Sequence, residues 1–148
     1  MKKLILIGII GYLIYGYFEK TPQSITSLMS TFTSQYSDSD KALENAFNNK
    51  QIDLQVGGSG KVIKLLADDL NGSRHQKFII KLATGQTLLV AHNIDLAPRI
   101  SALSIGDQVE FYGEYEWNSK GGVMHWTHHD PQGRHEDGWL VHDGNIYN

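Results

Sequence analysis

The residue types best suited to chemistry are concentrated in one short stretch, HWTHHD, which covers residues 125–130. It contains three histidines, a tryptophan, a threonine and an aspartate, and all seven histidines of the chain lie between His75 and His142. A neutral imidazole can act as a general base near neutral pH, as a metal ligand or as a hydrogen-bonding group for a bound molecule. This clustering predicts a polar functional site with one of these three roles.

Binding of an anionic ligand is the first interpretation of these residues. Arginine can hold a carboxylate or phosphate with two parallel hydrogen bonds, and three arginines lie near histidines in the sequence. A tryptophan can stack on a base or a sugar ring, so a nucleotide, an oligonucleotide or a cell-envelope glycan would fit such a site. The predicted ligand-binding residues are Arg74, His75, His92, Asn93, Asp95, Arg99, Trp126, His128, Arg134 and His135.

Histidine-assisted hydrolysis of a phosphodiester, with or without a metal, is the alternative. The predicted catalytic residues are His125, His129 and Asp130, with a neutral histidine as the general base and Asp130 or Asp95 orienting it. The sequence has no Gly-x-Ser-x-Gly pattern of an activated serine. Water would therefore be the nucleophile.

The spacing of these histidines argues against a simple metal site. On a straight strand His125 and His129 point to the same face but lie roughly 13 Å apart, too far to share one ion. Only a turn after Thr127, which the residues 130–133 would allow, could bring His128 or His129 beside Asp130 and His135. The sequence has no cysteine and none of the usual zinc-binding spacings. Glu114 and Glu116 are predicted to form a solvated acidic face, and the cofactor is left open, a divalent metal included.

The histidines can also be interpreted as purely structural residues. His92 shares a predicted strand face with Leu88 and Val90, and a histidine in that position is commonly a hydrogen-bonded core residue. A buried imidazole without partners costs about 1 to 3 kcal/mol. The density of histidines from His125 onward therefore favours function over packing.

Composition limits the class of protein. A chain of 148 residues with 41% hydrophobic residues predicts one domain with a real core. The net charge of -3 argues against nucleic-acid binding through bulk positive charge, which needs many lysines and arginines. The absence of cysteine excludes disulfides, thiolate metal ligands and cysteine nucleophiles.

Hydrophobic residues alternate with polar ones from Gln51 onward, which predicts strands. Gly57, Gly58 and Gly60 suit a strongly bent first strand. An insert with Pro98 separates the third strand from the fourth. The five predicted strands lie around 57–66, 76–82, 87–92, 109–117 and 123–129.

These elements predict a mainly β protein with a small five-stranded barrel of the oligonucleotide/oligosaccharide-binding type, called OB-like below. A two-layer sandwich is the alternative that the same alternation permits. The barrel domain covers 51–148, and a polar tether with a short helix covers 21–50. The helix is predicted over 41–47, with its N-cap at 38–40.

The first residues predict export. Lys2 and Lys3 precede an uncharged apolar run over 4–18, and no small-x-small cleavage site follows it. Residues 1–20 are therefore predicted to be a signal anchor in the inner membrane, with the rest of the chain in the periplasm or otherwise outside the cytoplasm. Cleavage of this segment would make the protein a secreted one.

Five runs of the sequence are long and unusual: GSGKV at 58–62, GSRHQKF at 72–78, AHNIDLAPR at 91–99, FYGEYEWN at 111–118 and HWTHHDP at 125–131. Over about residues 52–148 the chain resembles the bacterial family called domain of unknown function 3465. The resemblance implies a small secreted or membrane-anchored bacterial protein. It implies no mechanism.

Shorter runs resemble the thermonuclease-type barrel. They are Val62-Ile63-Lys64, Gly85-Gln86-Thr87 and Ile94-Asp95-Leu96-Ala97-Pro98. Arg99 stands where that family has an acid after the proline, and the Gly-Asp-x-Thr run of its calcium site is missing. This likeness implies a barrel and not nuclease activity.

Overall fold

A computed structural model describes residues 37–148 together with Thr26, Ser27, Ser30 and Ser34. The chain divides into two units, Met1–Gln35 and Tyr36–Asn148, and the site lies in the second. The predicted anchor over 4–18 is outside the described residues. In the part of the chain that the structure describes, no helix is both long enough and apolar enough to span a bilayer.

The described residues of the second unit form one helix and seven strands. Five of the strands pair in the order β1-β2-β3-β5-β4, and a further pairing of β1 with β4 closes them into a barrel. β3 and β5 are parallel, and the other pairs are antiparallel. The prediction of a closed five-stranded OB-like barrel is confirmed. The elements are α1 (37–48), β1 (Leu54–Leu65), β2 (His75–Lys81), β3 (Thr87–Asn93), β4 (Gln108–Glu116), β5 (Val123–His125), β6 (Trp139–His142) and β7 (Asn145–Tyr147).

β1 is long because it pairs with two neighbours in succession. Its first part pairs with β4, its end pairs with β2, and an irregularity between Val62 and Lys64 marks the bend. A Cβ at Gly58 would lie 2.7 Å from the ring of Phe111, and one at Gly60 would lie 3.1 Å from Ile80. The glycines therefore let core side chains pack against the strand backbone where it curves.

The alternating hydrophobic residues point into the barrel as predicted. In β2 and β4 every second residue is buried, and Phe78, Ile80, Val109 and Phe111 have no exposed surface. α1 adds two fully buried residues, Leu43 and Ala46, to this core. The polar residues between the buried ones consequently stand on the outer face of the barrel.

α1 is attached to the barrel by a hydrogen bond as well as by packing. The carboxylate of Asp40 accepts the backbone N–H of Ala83, in the turn between β2 and β3, at 3.1 Å. Residues 37–40 are already helical, so the predicted N-cap at 38–40 is wrong and the helix begins at or before Ser37. Asp40 serves as a contact to the barrel instead of a cap.

The C-terminal part of the domain differs from the prediction. The fifth strand was expected to reach His129, but β5 ends at His125, because Trp126 has a positive φ of 52° that an extended strand does not allow. β6 and β7, which were not predicted, form a hairpin on the Asp143-Gly144 turn, where both residues have positive φ. β6 extends the sheet beside β4.

Candidate functional site

A groove lies on the outer face of the barrel, across β2, β3, β5 and the end of β4. It has a volume of about 320 Å³. Because strand residues alternate between the two faces, the outward residues of these four strands meet here. Its lining is Asp69, His75, Lys77, Ala91, Glu116, Val123 and His125.

Two glutamates and a histidine stand together at one side of the groove. Glu114 and Glu116 are alternate residues on the outer face of β4, and His125 of β5 is the direct cross-strand partner of Glu114. One ligand atom from each of the three residues can be chosen so that all lie within 4.8 Å of one another. Glu114, Glu116 and His125 are called the carboxylate–histidine cluster below.

His125 is the neutral member of this cluster. Burial lowers the pKa of His125, and the charge of Glu114 opposes that shift only in part. Its Nε2 lies 3.3 Å from Oε1 of Glu114. This buried nitrogen forms no hydrogen bond with any described residue. His125 therefore presents a nitrogen that is ready to accept another partner.

His135 holds Glu114 from the opposite side. Its Nε2 lies 2.7 Å from Oε2 of Glu114, and its Nδ1 lies 2.8 Å from the carbonyl oxygen of Glu136. Both nitrogens face acceptors, so both carry protons and the ring is an imidazolium. Burial works against protonation, but the hydrogen bonds to Glu114 and Glu136, aided by nearby negative charge, raise the pKa of His135.

Glu116 is constrained by β1 and by its own neighbours. Its Oε1 accepts the backbone N–H of Asp53 at 3.2 Å. Burial raises the pKa of Glu116, and the negative charges of Asp53 and Glu114 add to that effect. Burial and the neighbouring carboxylates therefore disfavour the ionised form of Glu116.

His75 and Lys77 occupy the other side of the groove. His75 Nδ1 donates to the carbonyl of Ser73 at 2.8 Å, so in the neutral ring Nε2 carries a lone pair. Lys77 Nζ lies 3.6 Å from the carboxylate of Asp69, a distance longer than a hydrogen bond. The groove thus contains an ammonium group and carboxylates together with imidazoles. The small apolar side chains of Ala91 and Val123 complete its lining.

Four of the predicted ligand-binding residues lie at the end of the barrel and contact acids or backbone. Arg74 Nε lies 2.6 Å from the carboxylate of Asp95, and that carboxylate also accepts the backbone N–H of Arg74. Asn93 donates to Ser73 and accepts the N–H of Asp95. Arg99 is paired with Asp68, with its Nε at 2.8 Å. These residues brace the loops around His75 and lie outside the lining of the groove.

His92 is a core residue. It has no exposed surface, its Nδ1 contacts Thr127 Oγ1 at 2.9 Å, and its Nε2 contacts the carbonyl of Pro98 at 3.2 Å. Burial lowers the pKa of His92 to about 4, so the ring is neutral at physiological pH. His92 is therefore a hydrogen-bonded core residue, as one interpretation of the sequence held. It has no exposed surface that could contact a ligand.

The proposed catalytic group of His125, His129 and Asp130 is not assembled. Asp130 is buried, and its carboxylate accepts the backbone N–H groups of residues 132, 134 and 135, bonds that lower the pKa of Asp130. His129 is exposed and pairs with Asp137 at 2.7 Å. Asp130 therefore shapes the loop after β5, and both of its carboxylate oxygens accept backbone N–H groups of that loop.

The remaining predicted ligand-binding residues belong to the same loop. Trp126 stacks on His135, with ring centroids 4.1 Å apart and planes 5° from parallel. His128 is buried and its Nδ1 contacts the carbonyl of His129 at 2.8 Å. Arg134 is exposed. Of the whole predicted set only His75 and His125 line the groove, while His135 reaches the cluster through Glu114.

The sequence-based set lacked six residues of the groove or the cluster, four of them charged: Asp69, Lys77, Glu114 and Glu116, with the apolar Ala91 and Val123. The two glutamates were interpreted as a solvated acidic face, but the side chain of Glu114 is only 16% exposed. A signal for them was present in the sequence. A histidine just after a hairpin loop pairs with the strand before it, so His125 had to face a residue of β4.

Comparison with protein families assigns most of the chain to one family. A family model described as "Protein of unknown function (DUF3465)" matches residues 25–148, which is most of the chain. The chain belongs to the DUF3465 family. The match begins before α1, so the DUF3465 unit includes the helix that closes the core as well as the barrel. A comparison with curated proteins gave no significant match.

Proposed function

We propose that this DUF3465 chain is a membrane-anchored extracytoplasmic binding domain, and that it binds an anionic, sugar-containing ligand in the groove. Such a ligand is a nucleotide, an oligonucleotide or an acidic envelope glycan. The observation that carries the proposal is the meeting of Lys77, His75 and His125 with two carboxylates above an apolar floor. A concave site with an apolar floor and a few convergent polar groups is the usual form of a ligand site.

The position of the groove on the barrel supports this proposal. Barrels of the OB type bind oligonucleotides and oligosaccharides on the face of strands 2 and 3 and with the adjoining loops. Here β2 and β3 supply His75, Lys77 and Ala91, and the segment between β1 and β2 supplies Asp69.

The charges of the groove favour a ligand with both an anionic group and hydroxyl groups. The ammonium of Lys77 is held by Asp69 only at 3.6 Å, so a phosphate or carboxylate can replace that contact without breaking a hydrogen bond. Carboxylates such as Asp69 and Glu116 accept hydrogen bonds from sugar hydroxyls. A ring can lie on Ala91 and Val123.

Titration of the full-length protein with three probes tests this proposal. The probes are adenosine monophosphate, a short single-stranded oligonucleotide and an acidic disaccharide. We expect at least one to bind and Lys77→Gln to raise its Kd about tenfold, which corresponds to about 1.4 kcal/mol. Lys81→Gln is the matched control, because Lys81 is exposed on the same strand and outside the groove. No binding by any probe, or equal effects of the two variants, would refute the proposal.

Metal-dependent phosphodiester hydrolysis is the second candidate function. The observation that favours it is the position of the neutral His125 beside Glu114 and Glu116. Turnover of bis(4-nitrophenyl) phosphate with Mg²⁺, Mn²⁺ or Zn²⁺ tests it. If His125→Ala abolishes turnover and leaves ligand affinity within a few-fold, the domain is an enzyme. If no metal supports turnover by the wild type, binding is its only role at this groove.

The location of the protein is tested separately. Lys2, Lys3 and the apolar run over 4–18 are the sequence features that support an anchor. After an alkaline wash of bacterial membranes, the full-length chain is expected in the membrane fraction. A chain lacking residues 1–20 is expected in the soluble cytoplasmic fraction. Release of the full-length chain by the wash would argue against a retained anchor.

A further inference from the structure

We propose that Glu114, Glu116 and His125 bind one divalent transition-metal ion, such as Zn²⁺ or Mn²⁺, on the outer face of β4 and β5. Metal binding here does not depend on the ligand of the groove. The sequence did not predict this site: it placed His125 and His129 too far apart on a straight strand to share an ion, and it interpreted Glu114 and Glu116 as a solvated face.

The geometry of the cluster suits a single ion. Because the three donor atoms lie within 4.8 Å of one another, a point between them is within about 3 Å of each. Metal–ligand bonds of about 2.0 to 2.2 Å therefore require side-chain shifts of under about 1 Å. The three residues stand on paired strands, whose backbone hydrogen bonds fix their relative positions. Sites on such elements are held more rigidly than sites on loops.

The unpartnered nitrogen of His125 points to a missing contact. Nε2 is buried, lies near a carboxylate oxygen and still makes no hydrogen bond to any part of the described chain. A buried polar atom without a partner costs about 1 to 3 kcal/mol. A metal ion satisfies this nitrogen in the neutral form that coordination requires.

The two carboxylates need positive charge that the groove does not fully provide. Glu114 is balanced by His135, but Glu116 contacts the neutral N–H of Asp53 and has Glu114 as its neighbour. A divalent ion between Glu114 and Glu116 removes their repulsion.

Contacts outside the cluster resemble the outer shell of a metal site. His135 binds Oε2 of Glu114 at 2.7 Å and thereby turns Oε1 toward His125. Asp53 N–H donates to Oε1 of Glu116 at 3.2 Å. Hydrogen bonds to ligating carboxylates orient them in this way. His135 is therefore a positioning residue.

The donor set indicates the class of metal. One imidazole and two carboxylates, with no thiolate in the chain, suit Zn²⁺, Mn²⁺, Fe²⁺ or Co²⁺ better than Cu⁺. Three protein ligands leave at least one position open. Glu116 and His125 of the cluster also line the groove, and so does His75.

Calorimetric titration of the full-length protein with ZnCl₂ or MnCl₂ alone, after removal of metals with a chelator, tests this site. We expect one equivalent to bind. His125→Ala and Glu116→Gln are each expected to weaken binding by more than about tenfold, and His135→Gln by about tenfold. Glu110→Gln is the matched control, because Glu110 is on the same face of β4 and outside the cluster.

Co²⁺ provides a second readout that does not rely on affinity. The wild type is expected to show visible d–d absorption bands, which His125→Ala loses and Glu110→Gln keeps. Melting curves without metal show whether each variant is folded. Absence of binding by the wild type, or binding that survives both His125→Ala and Glu116→Gln, overturns the site. A protein that binds the ion but none of the organic probes refutes the proposed ligand and leaves the metal site standing.

Discussion

His135 is bonded to Glu114 at 2.7 Å and joins the loop between β5 and β6 to the outer face of β4. The same imidazolium stacks on Trp126, so one side chain fixes both the start of the loop and a carboxylate of the cluster. Trp126 has a positive φ, which is uncommon and costly for a bulky residue. The stacking contact offsets that cost and holds the chain in the bend that ends β5.

Replacing His135 should therefore destabilise the domain. His135→Ala removes the hydrogen bond to a charged group and the stacking partner of Trp126, and we expect a loss of about 1 to 3 kcal/mol in the free energy of unfolding. His129→Ala is the control, because His129 is exposed in the same loop and should change stability by less than about 0.5 kcal/mol. Urea denaturation measures both variants. If His135→Ala and His129→Ala had the same free energy of unfolding, His135 would not stabilise the loop as described.

Close packing of the same loop gives a second prediction. A Cβ at Gly138 would lie 1.9 Å from the carbonyl oxygen of Trp126 and 2.5 Å from that of Tyr112. Gly138→Ala must push the loop away from β4, and we expect it to cost about 1 to 3 kcal/mol. Gly57→Ala is the control, since its nearest new contact is the side chain of Tyr112 at 3.2 Å. A fully stable Gly138→Ala variant would show that the loop is not tightly packed.

The barrel could be predicted from the sequence because each of its strands is marked by a pattern of neighbouring residues. Alternation of residues such as Phe78 and Ile80 with polar ones marks the inner face, and glycines mark the bend of β1. The early end of β5 could not be predicted, because it depends on His135, nine residues further along, stacking on Trp126. The hairpin of β6 and β7 was missed although Asp143-Gly144 is a strong hairpin signal.

The site was harder to predict because it depends on pairing between elements. The sequence shows Arg74 and Arg99 but not that Asp95 and Asp68 hold them. His125 was selected for its neighbours in the chain, whereas its partner in space is Glu114 across the β4–β5 pair. The predicted strands around 109–117 and 123–129 already implied approximately that pairing. Spacing along a single strand therefore indicated the wrong partners for His125. The pairing of β5 with β4 would have indicated Glu114.

The arginine pairs give a third prediction, which separates the groove from the end of the barrel. Arg99 is bonded to Asp68, and neither residue lines the groove. We expect Arg99→Ala to change the Kd of a groove-binding probe by less than about twofold, while Lys77→Gln raises it about tenfold. Fluorescence or calorimetric titration measures both values. A tenfold loss in Arg99→Ala would place the anion site beside Arg99, which the sequence analysis named as a ligand-binding residue.

The buried His92 gives a prediction about pH. The pKa of His92 is about 4 in the folded protein, because burial disfavours the charged ring, and about 6.5 in the unfolded chain. The unfolded state therefore takes up the proton first as the pH falls. The contribution of His92 to stability is complete above about pH 6.5, decreases toward pH 4 and is constant below it, with a total loss of about 3 kcal/mol at about 1.4 kcal/mol per pKa unit.

Comparison of two variants isolates this contribution from that of the other histidines. Glutamine does not titrate, so the free energy of unfolding of His92→Gln should fall by about 3 kcal/mol less than that of the wild type between pH 6.5 and 4. His129→Gln is the matched control, because it makes the same replacement at an exposed histidine. Urea denaturation at a series of pH values measures all three proteins. Parallel profiles for wild type and His92→Gln would mean that His92 is protonated inside the fold, which its contacts to Thr127 and the carbonyl of Pro98 do not require.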